Sequence, residues 1–174
     1  MASPPWWYRR APVTEQRPRI ALAIFPINFI GGIATRTWTM WRGLRDAGYA
    51  CDVVRLRKGQ RGGRALEVEQ LMPTVEARQR RGALSVRHLA LSYGGGLARA
   101  AAEYLSSRYD VVVYVHAAPH PSTEGEDRSW QQLYSRVRAR RVAVFSDVYW
   151  KDYYPWVQEV VGDMDVVYGT NSAA

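Results

Sequence analysis

The sequence predicts an α/β domain, a parallel β-sheet with helices on both faces, and three observations lead there. Short continuous apolar runs such as Ile20-Ala-Leu-Ala-Ile-Phe25 suit strands buried on both sides. Apolar residues elsewhere recur at helical spacing, as at Ile33, Thr37, Met40, Leu44 and Ala47. Strand-like and helix-like segments then alternate along the chain, the order that builds a parallel sheet. With 174 residues, of which 47% are hydrophobic and 23% charged, the chain suits one folded domain with a proper core.

Residues 1–18 carry Pro4, Pro5, Pro12 and Pro18 among Trp6, Trp7, Tyr8 and paired arginines. Proline at this density removes backbone donors, so the segment is expected to be an extended arm ahead of a domain over 19–174. The first strand, Ile20–Phe25, leads through Gly31-Gly32 into a helix that Gly48 stops, and Cys51–Leu56 follows as a second strand. This is a βαβ unit.

Arg55–Arg64, RLRKGQRGGR, reads as a basic, glycine-rich loop. Beyond it the pattern predicts a short helix near Ala65–Met72 and a strand near Leu84–Leu91. Helices are expected at Leu97–Ser107, Ser129–Arg140 and Asp152–Val161, the last with Pro155 in its first turn. Strands are expected at Asp110–His116, Arg141–Phe145 and Asp165–Tyr168.

The formal net charge is +8, almost all of it arginine, since Lys58 and Lys151 are the only lysines. Such a surplus favours polyanionic partners: nucleic acid, nucleotide diphosphates or anionic membrane surfaces. Cys51 is the single cysteine, which excludes an intrachain disulfide and a cysteine-rich zinc site. No apolar run approaches the roughly 18–20 residues that span a bilayer, and the N-terminus lacks the apolar core of a secretion signal, so a cytoplasmic protein is expected.

Ligands of open parallel sheets collect beyond the carboxyl ends of the strands, so functional residues are sought in the loops that leave that edge. Gly31 and Gly32 let backbone approach a bulky ligand, and the helix N-terminus behind them favours a phosphate, to which Arg36 can add a charge-assisted contact. A simple tight turn would use the same glycines. The stretch is neither G-x-G-x-x-G nor a Walker A loop, and Arg55-Leu-Arg-Lys58 stands where a dehydrogenase would carry a ribose-binding carboxylate.

His116 is a candidate ligand contact or general base, or else a structural histidine. Its spacing to His120 would suit a metal only on a helix, which Pro119 and Pro121 exclude, so no metal is expected. Asp147 follows a strand and can accept a proton, hold a sugar hydroxyl or cap the next helix. Tyr149, Trp150, Tyr153, Tyr154 and Trp156 can stack on a sugar or base, or pack. No G-x-S-x-G elbow is present, which argues against a serine hydrolase. Arg55, Arg57, Lys58, Arg61 and Arg64 form the densest basic stretch and suit phosphate contacts, with a solvated loop as the alternative.

RIALAIFPINFIGGIATRTWTMWRGLRDAGYACDVVRL resembles the N-terminal half of GT-B glycosyltransferases, especially the family-4-like group. RVAVFSDVYW and DMDVVYGTNS are similar in placement to later strands of that half, and the layout is also similar to phage enzymes that glucosylate hydroxymethylated cytosine in DNA. The resemblance spans roughly residues 19–172. It implies a single Rossmann-like half-domain that holds the acceptor, while Gly31, Gly32 and Arg36 approach the diphosphate of a UDP- or GDP-sugar. It further implies that Asp147 sits where the phage-type enzymes place a catalytic histidine followed by aspartate, although this chain has Asp147-Val148. A donor-binding half, on a second domain or a partner chain, is expected to complete the site, with modified DNA as a candidate acceptor. The competing expectations are a non-catalytic binding or assembly module, and a transferase acting on a saccharide, lipid or small molecule.

Overall fold

The computed structural model describes residues 17–24, 32–57, 66–71, 86–93, 96–115, 129–145, 159 and 161–169. Seven strands form one sheet: β1 (Arg19–Ile24), β2 (Ala50–Arg57), β3 (Leu66–Leu71), β4 (Val86–Ser92), β5 (Val111–Val115), β6 (Arg140–Phe145) and β7 (Val166–Gly169). Their order is β3-β4-β2-β1-β5-β6-β7. Every neighbouring pair is parallel except β3 with β4. Among the described residues three helices have their bounds defined: α1 (Gly32–Asp46), α2 (Ala98–Arg108) and α3 (Ser129–Arg136). The expected Rossmann-like α/β sheet is therefore present, with an antiparallel strand on one edge.

The helix expected over Ala65–Met72 is replaced by β3. Its glutamates favour helix locally, but Leu66 and Val68 alternate with Glu67 and Glu69 at a period of two, and β3 pairs with β4 from Leu66↔Leu91 to Leu71↔Val86. Tertiary pairing overrides propensity here. Of the helix expected over Asp152–Val161 only residues 159 and 161 are described, both helical, and the expected arm lies almost wholly outside the described residues.

Alternation along the central strands separates two cores. Ile20, Leu22 and Ile24 of β1 join Cys51, Val53, Val113, Val115 and Val144 on one face, under Trp38, Met40, Trp41 and Leu44 of α1. Ala21 and Ala23 point to the other face, where α2 and α3 pack. On α2 the buried residues are Ala98, Ala101, Ala102 and Leu105, and on α3 and its exit they are Trp130, Leu133, Tyr134 and Val137. Both sets follow the helical period, so each helix presents one apolar stripe to the sheet.

Residue size explains the second core. Tyr114 of β5 stands between Ala23 of β1 and Ala143 of β6 in register. The two alanines leave room above the sheet that the Tyr114, Tyr134 and Trp130 rings fill, with centroids 4.1 Å apart for the tyrosines and 5.4 Å for Tyr134–Trp130.

α1 ends in a Schellman motif. Tyr49 N–H donates to the Leu44 carbonyl and Gly48 N–H to the Arg45 carbonyl, both at 2.9 Å, while Gly48 adopts φ 83°. Arg17 donates to the Ala47 carbonyl and lies over the Tyr49 ring, 5.4 Å from its centroid. A side chain at Gly48 would meet both a left-handed backbone and the Arg17 guanidinium.

The amino edge of the sheet is latched by two aspartates. Asp110 accepts from Arg19 N–H at 2.7 Å and returns its own N–H to the Arg19 carbonyl at 2.9 Å. Asp165 repeats the exchange with Arg141 at 2.7 and 2.9 Å. Each aspartate opens a Val-Val strand and ties it to the neighbouring strand's first residues.

Candidate functional site

The strand order places the site. β1 reaches β2 through α1 on one face, while the chain from β4 passes through α2 on the opposite face to β5 on the far side of β1. Order therefore reverses between β1 and β5, and the crevice beyond their carboxyl ends is where a doubly wound sheet receives ligands. Ile24 is level with Val115 on one side and Arg55 on the other, so β1 and β5 end together while β2 runs on to Arg57. α1 begins at this edge with Gly32. Its first-turn N–H groups, unsatisfied within the helix, face the side where a ligand would enter.

Gly32 thus opens the helix as the sequence predicts. Arg36 lies one turn further on and is half-buried, next to the buried Thr37. Arg55 and Arg57 belong to β2 rather than to a loop, which moves the start of the expected basic loop past Arg57. Both are half-buried, and Arg57 Nε donates to the buried Ser92 Oγ at 3.2 Å, tying β2 to β4. Gly31, Lys58, Arg61, Arg64, His116 and Asp147 lie outside the described residues, as does the Tyr149–Trp156 aromatic run.

Beneath the edge is a floor of buried aromatics. Tyr93 follows β4, its N–H bonded to the Arg57 carbonyl at 3.0 Å, and Trp130 sits in the first turn of α3; both are fully buried. The Tyr114 hydroxyl is buried with no hydrogen-bond partner among the described residues. Burial pushes the phenols of Tyr114 and Tyr134 far above the ordinary tyrosine value, so they stay neutral and take no part as bases. Cys51, on the α1 face, is driven the same way: burial first, then the Asp52 charge, against a smaller opposing pull from Arg45, push its thiol up to about 12. It is no nucleophile.

Among the described residues, no group of three His, Cys, Asp or Glu side chains could hold a metal ion, and no helix is long and apolar enough to cross a membrane. The sequence reading passed over the helical face. There α2 and the end of α3 enclose an open groove of about 770 Å3, lined by Arg99, Glu103, Ser106, Ser107, Arg136 and Arg138 among others. It lies toward the amino edge, away from the crevice. Scattered along the sequence these residues show no motif; only the packing of α2 against α3 collects them.

No protein-family model matches the chain, and no curated protein matches it. Solved structures do. An alpha-glucosyltransferase in complex with UDP and a 13-mer DNA containing a central A:G mismatch superposes with a TM-score of 0.55 at 11% identity, over 87% of this chain and 37% of that one. An alpha-glucosyltransferase in complex with UDP-glucose and DNA containing an abasic site gives 0.56 at 11% identity, over 88% and 36%. The chain therefore spans little more than a third of the length of these enzymes, and shares its fold with that part of them.

Proposed function

We propose that this chain is the acceptor-side half of a GT-B-type glycosyltransferase that moves a sugar from a UDP- or GDP-sugar to DNA. The observation that carries the reading is the β1/β5 switch point with the N-terminus of α1 beside it, in a fold shared with part of UDP-bound glucosyltransferases. The α1 N-terminus, preceded by Gly31 and joined by Arg36, faces the donor diphosphate. Positive backbone dipoles and a guanidinium there stabilise charge that builds on the leaving diphosphate. His116 and Asp147 leave the carboxyl ends of β5 and β6 and act on the acceptor hydroxyl, as a polar contact and a proton acceptor respectively. Lys58, Arg61 and Arg64, following Arg55 and Arg57 of β2, meet the acceptor's phosphates, as the net charge of +8 favours.

Contacts on one side of a diphosphate provide only part of the clamp, so a donor-binding half, on a further domain or a partner chain, completes the enzyme. The test is purification of the tagged chain from its native host, mass spectrometry of what accompanies it, and transfer of labelled sugar from UDP-glucose to DNA by the recovered assembly. Recovery of a second Rossmann-like chain, with transfer abolished by D147N, supports the reading. Recovery of the chain alone, with no nucleotide-sugar binding by calorimetry, overturns it in favour of a non-catalytic binding module. Transfer to saccharide or lipid but not to DNA overturns the acceptor assignment alone.

A further inference from the structure

The groove between α2 and α3 is a charged surface that sugar transfer does not use. α2 contributes Arg99, Glu103, Ser106 and Ser107, and the end of α3 contributes Arg136 and Arg138. Glu103 is already committed to Arg99, whose Nε lies 2.9 Å from Oε1. The guanidinium groups of Arg136 and Arg138 are exposed and make no hydrogen bond or ion pair among the described residues. Two guanidinium groups without a partner among the described residues therefore line a concave surface whose one carboxylate in the described lining, Glu103, is paired with Arg99.

The groove also has a fixed wall. Ser106 Oγ donates to the Ala102 carbonyl at 2.6 Å and accepts the Arg138 N–H at 2.9 Å, stitching the exit of α3 onto α2. Arg138 is thereby held beside Ser106, whereas Arg99 sits seven positions earlier on the same helix. At 1.5 Å rise per residue, the Arg99 and Ser106 positions lie about 10 Å apart along α2. That run is longer than a single phosphate group.

We propose that this groove is a second nucleic-acid contact, in which Arg136 and Arg138 receive phosphates of a DNA backbone. It lies on the helical face toward the amino edge and adds affinity without reading sequence. It stands whether or not the carboxyl edge transfers sugar. The groove is open, with the Arg136 and Arg138 side chains exposed, which suits a polymer passing through rather than a compact ligand enclosed on all sides.

The test is fluorescence anisotropy of a short labelled mixed-sequence duplex against the full chain, titrated with salt, for wild type, R136Q/R138Q and S107E. S107E places a carboxylate in the groove without touching either arginine. The expected result is a loss of affinity of about tenfold or more at low salt for R136Q/R138Q, with the salt slope reduced by about two, one for each phosphate contact removed. S107E is expected to weaken binding as well, with thermal unfolding of both variants close to wild type. Unchanged affinity and slope in both variants overturn the proposal. So does a lowered melting temperature for R136Q/R138Q with DNA binding intact, since Arg136 then serves only the α3 C-terminus. Binding of wild type to phosphatidylserine vesicles but not to the duplex overturns it in favour of a membrane surface.

Discussion

The two faces of the sheet are built differently. Under α2 and α3 the core is closed: Trp130, Tyr93, Tyr114, Tyr134, Leu105 and Leu133 are fully buried, and small residues on the strands make room for the rings. Under α1 the strands contribute only aliphatic side chains and Cys51, and the helix covers them with Trp38, Met40, Trp41 and Leu44, all partly exposed. The face covered by α1, whose N-terminus reaches the ligand crevice, is thus the less deeply packed of the two among the described residues. Local opening free energies follow buried contact, so α1 is the element whose position a ligand can most readily bias, over a foundation that holds still.

Replacing one tryptophan on each face tests that difference most strongly. Trp130→Ala is expected to cost about 3–5 kcal/mol, since a fully buried ring leaves a cavity that alanine-lined strands cannot refill. Trp41→Ala, half-buried and losing one hydrogen bond from Nε1 to the Cys51 carbonyl at 3.0 Å, is expected to cost about 1–2 kcal/mol. Urea unfolding midpoints measure both. Equal losses would erase the distinction between the faces.

A smaller effect concerns Tyr114, whose hydroxyl has no partner among the described residues. Tyr114→Phe is expected to leave stability unchanged or raise it by up to about 1 kcal/mol. A clear destabilisation in the same urea series would show that the hydroxyl has a partner beyond the described residues.

Smallest is the latch at the amino edge. Hydrogen bonds from the Arg141 backbone and side chain lower the pKa of Asp165. A carboxylate lowered in the folded state adds stability that is present above its unfolded value, near 3.8, and is lost as pH falls through the folded one. Because Asp165 is exposed, the effect is small. Thermal unfolding of D165N should therefore differ slightly from wild type at neutral pH, and the difference should shrink as pH falls below 3.8.

Much of this architecture was legible from the residues. Ile20–Phe25, Asp110–His116 and Arg141–Phe145 announce buried strands because both faces of each are covered, and Gly48 marks a Schellman stop that the φ of 83° bears out. Edge strand β3 was not legible, because Leu-Glu-Val-Glu-Gln carries helix propensity and its strand state depends on pairing with β4. Arg57 was grouped with the basic loop because charge was given more weight than the strand's continuation; in the fold it extends β2 past the expected Cys51–Leu56, which already held Arg55, and reaches Ser92. The α2–α3 groove could not be read from sequence, since its arginines and serines stand some thirty to forty positions apart and meet only through the packing of the two helices. The crevice itself followed from strand order, which needs the neighbours of β1 and not merely its sequence.

The central claim is that the crevice beyond β1 and β5, with the N-terminus of α1, holds a nucleotide-sugar diphosphate. Hydrogen exchange of the chain within the assembly recovered from its native host, with and without saturating UDP-glucose, tests it most directly. The account predicts slowed exchange of the amides from Gly31 to Arg36, with the strands and α2 unchanged. Slowed exchange confined to the amino edge, or none anywhere, would contradict it.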